Sequence, residues 1–114
     1  MPKYKIKIEP EKDGYVFQLW YRGKQPMGYS KYYDSWNNCL KGFKEFKDFL
    51  IRNNINNECE YLKLKQIDKR KYQYKFIDEN SNVIYESRII EIKQSCRNAM
   101  ISTCKNIINA NVDI

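Results

Sequence analysis

Tyr15-Val16-Phe17-Gln18-Leu19 and Tyr72-Gln73-Tyr74-Lys75-Phe76 stand 57 positions apart and share one pattern, with an aromatic or leucine side chain at every second place. That alternation is the period of a half-buried β-strand. The same offset sets Gly23 on Asn80, Met27 on Ile84, Ser30 on Ser87, Cys39 on Cys96, Gly42 on Ala99, Phe43 on Met100 and Leu50 on Ile107. A self-similarity near half the chain length predicts two copies of one small unit.

Working outward, Tyr4, Ile6 and Ile8 alternate with Lys3, Lys5 and Lys7 and predict a first strand, closed by a turn at Asp13-Gly14. Arg22-Gly23-Lys24 reads as the next turn, and a third strand follows near residues 27–32. Asp34-Ser35 supplies a cap for a helix beginning near Trp36. Trp36, Cys39, Leu40, Phe43, Phe46 and Leu50 recur at helical spacing, with Lys41, Lys44, Lys47 and Asp48 on other faces. The asparagine-rich stretch 53–57 reads as a linker. The order then repeats, with strands near 62–65, 72–77 and 83–87, a basic turn at Lys69-Arg70-Lys71 and a helix over about residues 93–108. The β-branched Ile89, Ile90 and Ile92 blur the start of that helix.

The expectation is an α+β fold of two tandem βββα repeats, residues 1–57 and 58–114, together one compact domain. An antiparallel sheet would carry both helices packed on one face.

Gly14-Tyr15-Val16-Phe17-Gln18-Leu19, then Gly23, then Ser30-Lys31-Tyr32-Tyr33-Asp34-Ser35, then Gly42-Phe43 resembles one repeat of the YegP-like family, small bacterial proteins of tandem βββα units. The second copy departs from the pattern. Lys71 and Asn80 stand in place of glycines, Ile89 in place of an aromatic and Ala99-Met100 in place of Gly-Ile. The resemblance spans nearly the whole chain and marks it as a divergent member. It implies a fold and no catalytic residues, since the family is functionally uncharacterised.

With 42% hydrophobic and 15% aromatic residues among 114, the chain can bury a core, and its 31% charge does not indicate disorder. The net charge of +7 suits a polyanionic partner. Lys, Ile, Asn and Tyr make up 52 of the 114 residues, a bias toward AT-rich codons that supplies some lysines without functional meaning. The N-terminal stretch reads as a strand rather than a signal peptide, no stretch approaches a membrane span, and a cytoplasmic location is expected.

The sequence contains no histidine, which removes the usual general base and the usual metal ligand. Cys39, Cys59, Cys96 and Cys104 form no Cys-x-x-Cys pair and read as core thiols. The acid pairs Glu9/Glu11, Glu58/Glu60 and Asp78/Glu79 fall in turns or at solvent-facing positions, and the glycines build no phosphate loop. No catalytic residue, metal site or cofactor is expected.

Alternation sends Lys3, Lys5, Lys7, Gln18, Trp20, Lys63, Lys65, Gln73 and Lys75 to the sheet face away from the helices. That face is expected to be basic, to carry one tryptophan and to lack acids. Lysines neutralise phosphates and an exposed indole stacks on a base. A solvated face with edge lysines that block aggregation has the same composition. The leading expectation is a non-enzymatic binding module for RNA or a ribonucleoprotein, with an acidic protein surface as the other polyanion.

Two alternatives accompany it. One is a protein inhibitor carried by a phage or other mobile element and aimed at a host nucleic-acid-targeting defence such as a CRISPR nuclease. Tyr21, Tyr29 and Tyr33, with Trp20, would be its interface anchors. The other is a nucleotide-sequestering protein.

Overall fold

The computed structural model describes residues 4–22 and 25–113. The chain runs β1 (Tyr4–Glu11), β2 (Gly14–Tyr21), β3 (Pro26–Ser30), α1 (Trp36–Arg52), β4 (Leu62–Asp68), β5 (Lys71–Ile77), β6 (Val83–Ser87), α2 (Lys93–Asn109) and β7 (Asn111–Asp113). The turn expected at Gly23-Lys24 and the expected outer-face Lys3 lie outside the described residues.

All the strands join one seven-stranded sheet in the order β4-β5-β6-β3-β2-β1-β7. The neighbouring pairs are antiparallel except β1 and β7, which run parallel with Ile6 opposite Val112. The sheet is therefore mixed, not antiparallel as expected. α2 ends at Asn109, Ala110 turns extended and buried, and the three residues of β7 then lie along the open edge of β1. A strand that short has too few positions to show a period.

The helices form where the capping and spacing place them. Ser35 caps α1 by accepting the N–H of Asn38 at 3.1 Å. At the start of α2 the cap position is Ile92, which has no such bond. Both helices pack on the face bearing Phe17, Leu19, Tyr74 and Phe76. Phe46 of α1 sits 5.8 Å from Phe17, 5.1 Å from Phe76 and 5.9 Å from Tyr85, so one ring touches β2, β5 and β6. From α2, Thr103 bonds the hydroxyl of buried Tyr74.

Two glycines make room for tyrosine rings. A Cβ on Gly28 would lie 2.6 Å from the hydroxyl of Tyr85, and one on Gly42 would clash with the ring of Tyr33 at its Cζ. Ser30 and Ser87 hold matching places in the sheet. Ser30 Oγ accepts the N–H of Phe17 at 2.8 Å and donates to the carbonyl of Lys31. Ser87 Oγ accepts the N–H of Tyr74 at 3.1 Å and donates to the carbonyl of Arg88.

Candidate nucleic-acid interface

Strand register assembles a row across the sheet face turned away from the helices. Lys7 lies opposite Gln18, Gln18 opposite Tyr29, Tyr29 opposite Glu86, Glu86 opposite Lys75, and Lys75 opposite Lys63. A second tier flanks it, with Lys5 opposite Trp20 and Lys65 opposite Gln73. Of the nine residues assigned to this face by alternation, the eight that are described share it.

Their availability differs. Lys5, Lys63 and Lys65 are exposed, while Lys7, Lys75 and Trp20 are half-buried. Lys7 Nζ stands 4.4 Å from the centre of the Trp20 ring, a cation–π contact that covers one indole face. The indole N–H donates to Gln18 Oε1 at 2.8 Å. Gln18 is buried and fixes the indole, and buried Gln73 donates to the carbonyl of Ser87 at 2.7 Å. Both glutamines are held internally rather than presented to a ligand.

The face is not free of acids. Glu86 sits at its centre, 3.6 Å from Lys75, and Glu9 lies opposite Val16 nearer one end. Glu9 follows Lys7 in the alternation of β1, whereas Glu86 enters from β6, a strand the alternation of β1, β2, β4 and β5 does not reach. Two further aromatics join this face. Tyr29 is 39% exposed and Tyr32 is 55% exposed, and both line a shallow depression of about 270 Å³ with Val16, Glu11 and Glu86. The face thus carries three aromatic side chains rather than one.

The three tyrosines expected to anchor an interface divide. Tyr29 is on the outer face. Tyr21 packs edge-on against Tyr4 at 4.6 Å, with the Arg22 guanidinium 5.6 Å from its ring. Tyr33 lies on the helix side, near Phe17 and over Gly42. Burial, with smaller contributions from Cys39 and Glu45, pushes its hydroxyl up to about 12. Tyr33 is half-buried, with the Lys31 ammonium 5.5 Å from its ring centre.

No family model matches this chain, and no curated protein matches it significantly. Two solved structures do. The solution NMR structure of yegP from E. coli, a protein of unknown function, superposes with a TM-score of 0.77 at 17% identity, over 99% of this chain and 93% of that one. The chain has a YegP-like fold. A UPF0339 protein from Shewanella oneidensis gives a TM-score of 0.77 at 11% identity, over 97% of this chain and 90% of that one. At these identities the YegP likeness concerns the backbone and assigns no side chain a role.

Elsewhere on this YegP-like scaffold the chemistry is subdued. Burial pushes the thiols of Cys39 and Cys104 up to about 12 and raises that of Cys96, so the nucleophilic thiolate is disfavoured at each. Among the described residues, no three Cys, Asp or Glu side chains gather as a metal site. A groove of about 360 Å³ runs between α1 and the β5–β6 turn. Glu45, Asp48, Asp78 and Glu79 line it against Lys31 and Arg52, an excess of acid that repels nucleotide phosphates. Among the described residues, no helix is long and apolar enough to cross a membrane.

Proposed function

We propose that this protein is a non-enzymatic module that holds single-stranded RNA, free or within a ribonucleoprotein, across the outer face of its sheet. The observation that carries the reading is the row from Lys7 through Tyr29 to Lys63, with cations at both ends, Tyr29 between them, and Trp20 and Tyr32 beside the row. Five strand spacings of about 4.8 Å separate Lys7 from Lys63, roughly 24 Å in all. That length takes a short single strand with its phosphates at the lysines and its bases over Trp20, Tyr29 and Tyr32. RNA-binding sheets stack two or three bases on aromatic side chains. The Glu86 carboxylate accepts hydrogen bonds from exocyclic amino groups of bases, the contact carboxylates make with cytosine. An incoming base displaces Lys7 from the indole and frees it for a phosphate.

The test is binding of a single-stranded RNA oligomer over a salt series. Charge reversal at Lys5, Lys7, Lys63 and Lys65 is expected to weaken binding and flatten its salt dependence. Unchanged affinity in that variant, or no binding by the parent protein at low salt, rejects the reading.

The proposal includes descent of residues 1–57 and 58–114 from one duplicated βββα unit within the YegP-like family, the second copy having diverged. Supporting it, Tyr29 pairs with Glu86, its own counterpart 57 positions on. The bonds on either side correspond as well: Lys31 N–H to the Ile84 carbonyl at 3.0 Å, and Arg88 N–H to the Met27 carbonyl at 3.0 Å.

A further inference from the structure

The net charge is not spread over the surface. Residues 62–77, the β4–β5 hairpin, hold six Lys or Arg and one acid, which accounts for +5 of the chain's +7. The corresponding β1–β2 hairpin, residues 4–21, holds three basic and three acidic residues. The two turns contrast most: Pro10-Glu11-Lys12-Asp13 in one, Asp68-Lys69-Arg70-Lys71 in the other. Two hairpins of the same design with opposite tips show that the fold does not require cations there. Edge protection explains Lys63 and Lys65 on the terminal strand, but not a basic turn.

The shape of this hairpin fits its charge. Seven consecutive residues, 65–71, are exposed. β6 pairs with β5 over Lys75–Ile77, Ser87 bonds both Gln73 and Tyr74, and Tyr72 bridges Ile90, so β5 is flanked as far as Tyr72 and not beyond it. β4 ends the sheet, so among the described residues its outer side has no neighbouring strand. Past the Gln66–Tyr72 pair, residues 67–71 therefore form an exposed two-stranded tip. Asp68 is committed to the turn, accepting the N–H of Lys69 at 2.7 Å, and Arg70 holds the left-handed conformation at φ 56°. Ile67, 50% exposed, adds an apolar side chain next to the tip.

We propose that this ribbon tip enters the major groove of duplex DNA, a second contact separate from the single-strand face. The major groove of B-form DNA, about 12 Å wide, admits a two-stranded ribbon, whereas the A-form groove of duplex RNA is too narrow for side chains to read. Lys69, Arg70 and Lys71 meet the phosphates flanking the groove, and Ile67 offers the apolar contact a thymine methyl takes.

The experiment measures salt-dependent binding of the full chain to a short DNA duplex, the matching RNA duplex and a single-stranded RNA oligomer. The tip variant is Lys69→Gln, Arg70→Asn and Lys71→Gln, all at exposed positions, with Asn chosen because it tolerates positive φ. It is expected to lose roughly tenfold or more in DNA-duplex affinity and about 2–3 units of salt slope, at about 0.9 per phosphate contact. Its single-strand affinity should hold within about twofold, and a major-groove dye, not a minor-groove one, should compete with the parent protein. No duplex binding by the parent, no loss in the variant, equal affinity for duplex RNA, or equal loss on every ligand each overturns the proposal. The face variant Lys7→Gln with Trp20→Ala separates the two readings. If the parent binds duplex DNA but not single-stranded RNA, the face reading fails and the ribbon stands.

Discussion

The ring of Tyr33 occupies the space a Cβ on Gly42 would need. At the positions 57 residues on stand Ile90 and Ala99, a smaller side chain with a larger helix residue. Two opposing effects meet at Gly42. Alanine favours a helix interior by about 1 kcal/mol over glycine, whereas overpacking costs about 1–3 kcal/mol. Gly42→Ala alone is expected to destabilise the fold. In a Tyr33→Ile background the same substitution should change sign and stabilise by about 0.5–1 kcal/mol. Urea denaturation of the four proteins in this cycle measures it, and an unchanged sign contradicts the contact.

The hydroxyl of Tyr85 is fully buried and makes no hydrogen bond among the described residues, while its ring packs against Phe17, Phe46 and Phe76. Tyr85→Phe keeps the ring and removes an unsatisfied polar group, which costs about 1–3 kcal/mol when buried. The variant should be at least as stable as the parent in thermal unfolding. A clear loss of stability would mean that the hydroxyl has a partner.

α2 lacks the cap that Ser35 gives α1, and the residue in that place, Ile92, is 64% exposed. Ile92→Ser should therefore lose little burial and gain about 1 kcal/mol by satisfying a free N–H at the helix start. A midpoint that fails to rise in denaturant argues against extended cap geometry at this position.

Stability should respond to pH at both extremes and little between. The thiols of Cys39 and Cys104 ionise near 9.0 when unfolded but are held up to about 12 by burial. Above pH 9.0 the unfolded chain therefore binds fewer protons, and stability falls as pH rises. Tyr33, raised from 10.0 to about 12, adds to the fall from pH 10.0 upward. At the acid end, hydrogen bonds led by those from Asn82 hold Asp78 below its ordinary 3.8, so its contribution is present above that value and lost as pH falls. With no histidine, the range from about pH 6 to 8 should be flat. Denaturation midpoints across pH 3–11 test this shape, and a slope near neutrality contradicts it.

What was legible in the sequence was what depends on neighbours along the chain. The alternation of Phe17 with Gln18 and Tyr74 with Lys75, the cap at Ser35 and the spacing from Cys39 to Leu50 each report a local preference. What escaped depends on which strands meet. Glu86 and Tyr29 entered the candidate face only because β3 pairs with β6, a contact between residues far apart in the chain. Nothing near Tyr33 in sequence shows that Gly42 lies beneath its ring. β7 depends on the open edge of β1, which no pattern within residues 111–113 announces.

The most direct test of the central claim is an amide and indole NMR titration of the full chain with a single-stranded RNA oligomer. The account predicts shifts on the outer face of β1 to β6, above all at the Trp20 indole N–H now bonded to Gln18 and at Tyr29, Lys63 and Lys75, with α1 and α2 unmoved. Shifts centred on the helices or on the groove beside α1, or none at saturating RNA, would contradict it.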